Sequence, residues 1–266
     1  MLIFATSLQI SVIFKKVSDF YFFSIDFCGG AIYNTGTLTV SGGCITNNVS
    51  EDGGGLFNGG DGTAAICGTA EITANKTTEN GGGGITNLGT LTVSDNASIS
   101  CNYGYSNGGG IWNGGTATVT GGSITGNSAT KAGSGVFDQD TLNTQGSPVV
   151  KDNIGDDVFL SAGKTIQITG ELDATARIGV SSAAEKPVIT SGYGTYNQEE
   201  PSIYFFEDGE DCVSVVDSDG EVKLNTDGIA YVDRAWDAEN FSVTKEIKHL
   251  TGYITASGSL SGQYGN

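Results

Sequence analysis

Five carboxylates crowd a short stretch of the chain: Asp138, Asp140, Asp152, Asp156 and Asp157. Carboxylates at that density suggest two kinds of chemistry. They could hold Ca²⁺, a hard cation that takes several oxygen ligands, or divide acid and base roles in glycoside cleavage. A G-G-x-G-x-D array of the calcium-binding kind is absent. A solvated acidic face is therefore the preferred reading, with weak Ca²⁺ binding as its alternative. Eliminative cleavage of a polyuronate needs a strong base, arginine or lysine, beside cation-holding carboxylates. The only arginines are Arg177 and Arg234, and neither lies inside the regular part of the sequence. The sole histidine is His249, and no C-x-x-C pair occurs among Cys28, Cys44, Cys67, Cys101 and Cys212. That spacing argues against a structural zinc site, and the cysteines read as small buried hydrophobes in a sheet. No residue is assigned a catalytic, cofactor-binding or metal-ligating role.

Two further patterns could make surfaces. Thr-x-Thr recurs at Thr37/Thr39, Thr90/Thr92 and Thr116/Thr118, but Ala65 interrupts it. A flat threonine ladder could meet ice, yet outward threonine is also simply a good strand residue. Tyr33, Phe57 and Trp112 share one position and could stack on sugars, except that Thr86 breaks the stripe. A scattered, exposed aromatic face is expected.

What must position these residues is a repeat. The phrases GGAIYN (29–34), GGGLFN (53–58), GGGITN (82–87), GGGIWN (108–113) and a decayed GSGVFD (133–138) recur. GTLTV-like phrases come after them at 36–40, 62–66, 89–93 and 115–119. Each unit closes on Asn48, Asn75, Asn102, Asn127 or Asn153, spaced by 27, 27, 25 and 26 residues. Every phrase is too short for a helix and alternates with period two, so each predicts a short strand. Glycine and Asn/Asp between them turn the chain. Three strands and three turns per coil of about 26 residues predict an all-β fold, a right-handed parallel β-helix with a β-rich C-terminal cap. The inward ladders are Ile32, Leu56, Ile85, Ile111, Val136; then Val40, Ile66, Val93, Val119; then Ile45, Ile72, Ile99, Ile124, Val150. Asn34, Asn58, Asn87 and Asn113 form a polar ladder at a turn, their amides bonded up and down the stack. The glycine triplets are backbone-packing sites. A phosphate loop needs a helix after it, and none is present in the pattern.

Composition bounds the rest. The 266 residues include 42 glycines but only three prolines, and 38% are hydrophobic, enough to bury a core. A net charge of −18 disfavours nucleic acid and anionic lipid as partners. Residues 1–150 carry ten acidic and four basic side chains and residues 151–266 carry twenty and eight, which marks a boundary. The expected organisation is an apolar N-terminal segment (1–27), the β-helix (28–180), an acidic β-rich cap region (181–235), and a strand with a Gly/Ser-rich tail or linker (236–266). Segment 1–27 lacks the charge order of a signal peptide and its apolar run is too short to span a membrane. A start placed inside a longer gene is preferred for it over a cap. In the C-terminal part, VFL (158–160), KTIQI (164–168), ARIGV (176–180), PSIYFF (201–206), 212–216, 221–224 and FSVTKEIK (241–248) read as strands, with Asp217-Ser218-Asp219-Gly220 as a hairpin turn.

The GG[GA]-I-x-N and GT-x-T-V-x-GG-x-I-T-x-N phrases over 29–153 resemble bacterial surface proteins with right-handed parallel β-helix repeats, akin to the polymorphic outer-membrane-protein repeat and the pectate-lyase-like superfamily. The stretch from Asp156 to about Leu224 resembles the segments C-terminal to such repeats in long surface proteins. The resemblance implies an extracellular or cell-surface, adhesin-like module without enzymatic activity, part of a longer protein, whose partners are glycan or protein. The alternative is a carbohydrate-active β-helix enzyme, a lyase or glycosidase with a degenerate or unrecognised site. Asn225-Thr226-Asp227-Gly228 resembles the first motif of polygalacturonase-like glycosidases. Downstream, however, there are only Asp233, Asp237 and His249, and the one Asp-Asp pair, Asp156-Asp157, lies upstream.

Overall fold

The repeat phrases become strands that stack coil on coil. The computed structural model describes residues 3–5, 29–184, 188–207 and 213–225. A first parallel sheet runs through Ile32–Asn34, Leu56–Asn58, Ile85–Asn87, Ile111–Asn113, Val136–Asp138 and Val158–Leu160. A second takes one strand from each of seven coils: Thr37–Val40, Thr63–Ile66, Thr90–Val93, Thr116–Val119, Thr141–Gly146, Ile166–Leu172 and Thr190–Ser191. A third joins Cys44–Thr46, Glu71–Thr73, Ser98–Ser100, Ser123–Thr125 and Val149–Val150. The fold is thus a parallel β-solenoid of about 26 residues per turn. Among the described residues no helix is long and apolar enough to cross a membrane.

Register keeps equivalent residues in line, and the expected ladders form. Ile32 pairs with Leu56, Leu56 with Ile85, Ile85 with Ile111 and Ile111 with Val136. Val40, Ile66, Val93 and Val119 line up in the second sheet, as do Ile45, Ile72, Ile99, Ile124 and Val150 in the third. A fourth inward column alternates in size: Leu38, Ala64, Leu91, Ala117, Leu142. Leucine over alanine lets neighbouring layers interdigitate without voids. Each large aliphatic so buried contributes about 1.5–3 kcal/mol.

Four of the coils have a strand more than the sequence pattern suggested. Val49–Ser50, Lys76–Thr77, Tyr103–Gly104 and Ser128–Ala129 form a fourth, narrow parallel sheet. Two-residue strands carry no alternation, so they leave no periodic signal. Before this sheet, the residue preceding each closing asparagine adopts positive φ: Asn47, Ala74, Cys101, Gly126 and Asp152 lie between 54° and 64°. Within the glycine triplets the first and second positions differ in their reason. Gly53 has φ of 63°, whereas a Cβ on Gly54 would lie 2.2 Å from the Gly83 carbonyl oxygen. The triplets are backbone-packing sites, as expected.

Toward the C-terminus the cross-section changes. Between Arg177 and Ser182 the chain has neither an asparagine turn nor a glycine triplet, and it runs as one strand. Its first half continues the third sheet (Val150 beside Ile178) and its second half the first sheet (Val158 beside Val180). The two sheets therefore fuse. Parallel pairing extends past residue 180, because Phe205–Glu207 lies beside Ile178–Val180. The segment 201–206 is not all strand: Pro201–Ile203 is a short 3-10 turn, fitting a proline that fixes φ and has no N–H for a ladder. Val213–Val216 and Val222–Asn225 form the antiparallel hairpin expected around Asp217–Gly220. The Asp217 side chain accepts from the amides of Asp219 and Glu221 at 3.0 and 2.9 Å. Glu221 then binds the amides of Gly192 and Tyr193 and the Thr190 hydroxyl at 2.6, 3.1 and 2.9 Å. At the other end, Ile3–Ala5 pairs in parallel with Ile32–Asn34. The strand read at 241–248 lies outside the described residues, as do Cys28, Cys212, Arg234 and His249.

Candidate functional site

The carboxylates singled out in the sequence do not converge, and two of them are not on a solvated face. Among the described residues no three His, Cys, Asp or Glu side chains gather as metal ligands. Asp140 reaches Lys164 at 3.3 Å and Asp152 reaches Lys151 at 2.9 Å, both near the surface. Asp156 accepts from the Gly133 amide at 3.2 Å. Asp138 and Asp157 are buried, at 0% and 1% exposure. The acidic-face reading fails for this pair because each stands in line with a column of asparagines.

The first column is the expected one. Asn34 Nδ2 donates to Asn58 Oδ1 at 2.7 Å, Asn58 to Asn87 at 2.8 Å, Asn87 to Asn113 at 2.7 Å and Asn113 to Asp138 Oδ1 at 2.7 Å. The closing asparagines make a second column. Asn48, Asn75, Asn102 and Asn127 each donate Nδ2 to the next Oδ1 at 2.8–3.0 Å, and Asn153 donates to Asp157 Oδ1 at 2.8 Å. All amides point the same way, with NH₂ toward the C-terminal coils. The aspartates end each column in that direction, since a carboxyl Oδ1 accepts the last amide in either protonation state. Burial pushes the carboxyls of Asp138 and Asp157 above the ordinary range, and their asparagine donors pull the other way.

Several other side chains capable of chemistry are engaged elsewhere. Arg177 donates to the carbonyls of Ala174 and Ala176 at 3.0 and 2.6 Å. Asp52 accepts from the Thr86 hydroxyl at 2.5 Å, and that hydroxyl accepts from the Gly82 amide at 2.8 Å. Contrary to expectation, the cysteines that can be placed are not buried: Cys44 and Cys67 are half-buried and Cys101 is exposed. Cys101 occupies the outward left-handed position before its asparagine. Burial, then the charge of Glu71, pushes the Cys44 thiol up; burial and Asp95 do the same to Cys67. A thiol so shifted is a poor nucleophile.

The aromatic stripe is longer and less open than the sequence suggested. It runs through Tyr33, Phe57, Thr86, Trp112, Phe137 and Phe159. Tyr33 stacks on Phe57 with centroids 5.2 Å apart, and Phe137 on Phe159 at 5.6 Å. Phe57 and Phe137 are each only 7% exposed. In these two pairs the rings turn their faces to one another, so those faces are not open to a sugar.

The outer face of the second sheet is different. Thr37, Thr63, Thr90, Thr116 and Thr141 form an unbroken column of five. Beside it run Thr39, Ala65, Thr92, Thr118 and Asn143. Ala65 interrupts only the second column. Thr37, Thr63 and Thr90 are exposed and the others half-exposed. None of the residues at 37–40, 63–66, 90–93, 116–119 or 141–144 is charged. On a chain of net charge −18 this is an uncharged grid of hydroxyls and methyls repeating every ~4.8 Å along the stack. No family model, curated protein or solved structure matches the chain.

Proposed function

We propose that this chain is a non-enzymatic structural module, a rigid acidic β-solenoid that presents its faces to glycan or protein partners. The observation that carries this reading is the uncharged threonine face of the second sheet. Elsewhere the excess of acidic groups repels anionic partners. The hydroxyls of this face both donate and accept, as the hydroxyls of a neutral glycan do. Repetition over five coils multiplies weak contacts without any deep pocket. An exported, cell-surface, adhesin-like setting and bacterial origin belong to the same proposal and rest on the repeat phrases. The engagement of Arg177 with backbone carbonyls and the dispersal of the carboxylates support binding over cleavage.

The test is a panel of neutral and acidic polysaccharides, polygalacturonate included, read for both binding and product release. Binding without turnover is expected, and a Thr90→Lys, Thr92→Glu double variant should bind less while melting as the parent does. Release of reducing or unsaturated ends would overturn the non-enzymatic reading. Unchanged binding in the double variant would move the contact off this face.

A further inference from the structure

Each asparagine of the first ladder has three acceptors around Nδ2, one of them a glycine carbonyl of its own turn. Besides bonding the next side chain, it donates to a threonine carbonyl one coil on: Asn58 to Thr90 at 3.0 Å, Asn87 to Thr116 at 3.1 Å, Asn113 to Thr141 at 2.9 Å. At Asp138 the corresponding atom is Oδ2, which is buried and has no hydrogen-bond partner. The next residue in its column is Leu160, and since Leu142 pairs with Ile166, the threonine one coil on is Thr165. By register, the side chain facing this position is apolar Leu160, and the carbonyl matching those the asparagines bond is that of Thr165. An ionised Asp138 has Asn113 on Oδ1 but a second charged oxygen buried with no hydrogen bond. A protonated one is neutral and supplies the donor that this place in the stack uses.

We propose that Asp138 is a protonation-dependent clamp: as the neutral acid it closes the first ladder against the sixth coil, and as the carboxylate it loosens that joint. The charged groups facing it are Asp140 from its own turn and Lys164 from the next coil. Lys164 is drawn toward Asp140, at 3.3 Å. Burial outweighs the bond from Asn113, the Asp140 amide and Lys164, and raises the carboxyl. Asp157 differs, because its Oδ1 accepts from both the amide and the side chain of Asn153 at 2.9 and 2.8 Å. A carboxyl raised in the folded state stabilises fully below the unfolded value of about 3.9 and loses that contribution as pH rises through the folded value. The solenoid therefore tightens in mild acid.

Thermal melts of the full chain between about pH 4.5 and 8 test the clamp, comparing the parent with Asp138→Asn and Asp140→Asn. The parent midpoint should fall as pH rises, by about 2–4 °C for each unit separating the folded and unfolded values. Asp138→Asn, a neutral isostere with its own donor, should flatten that fall, and Asp140→Asn should keep it. An Asp138→Asn slope equal to the parent's overturns the proposal. Should that variant not fold, the carboxyl ¹³C shift of Asp138 in the parent decides. A titration midpoint no higher than that of Asp140 overturns it equally.

Discussion

The first four coils and the closing coils solve opposite problems. In the former the ladder residues of the turns meet copies of themselves: Asn87 lies between Asn58 and Asn113, and Gly54 lies against Gly83. Each side chain must therefore both donate and accept, or have no side chain at all. Beyond them, the chain must stop presenting that pattern. As carboxylates Asp138 and Asp157 accept without passing a donor on, Arg177–Ser182 merges two sheets, and Glu221 ties down the Gly192–Tyr193 turn. Repetition uses neutral residues with two hydrogen-bonding ends; termination uses residues with one.

That contrast can be broken in the middle of the repeat first. Asn87→Ala orphans the donor of Asn58 and the acceptor of Asn113, each at about 1–3 kcal/mol, the largest loss expected. Of the bonds between ladder side chains, Asn34→Ala removes one where Asn87→Ala removes two, so urea midpoints should rank the middle of the ladder above its start. Ile111→Ala, deep in the first inward ladder, should cost about 2–5 kcal/mol by the same measurement. Gly54→Ala forces a methyl onto the Gly83 carbonyl and should cost about 1–3 kcal/mol or more. Among the closing coils, Glu221→Gln weakens three bonds to one carboxylate. A loss of about 1.5–3 kcal/mol is expected, read as faster amide exchange at Gly192 and Tyr193 with the first coils unchanged. Smallest of all, Ala74→Gly relieves a left-handed backbone and should gain under about 1 kcal/mol.

Most of the stack was legible because its ladders place one residue type at one phase of a period near 26. Ile, Leu and Val mark the inward phase, asparagine the turn, and Asp217–Gly220 the hairpin. The two-residue fourth sheet has no such phase. The ends of the ladders did leave a signal: aligning GSGVFD with GGGIWN puts Asp138 over Asn113. Reading it as one acid among several hid that alignment. The position before each closing asparagine likewise marked Cys101 as outward. The threonine face was half legible. Counting Thr-x-Thr pairs made Ala65 a break, whereas register shows that the outer column has none. Residues without a repeat partner, such as Glu221 and the sheet-merging strand, depend on the chain's path and could not be read from phase.

The one-way orientation of the asparagine amides also sets rules for how such a rod can lengthen. A duplicated copy of residues 88–113, placed after Asn113, brings both an Asn102 and an Asn113, and its amides find the same partners above and below. The same copy placed after Asp138 meets an acceptor where it needs a donor whenever that acid is ionised. The aspartates thus act as stop signals in a grammar of duplication: gene-level growth is free in the interior and halts at a single acid.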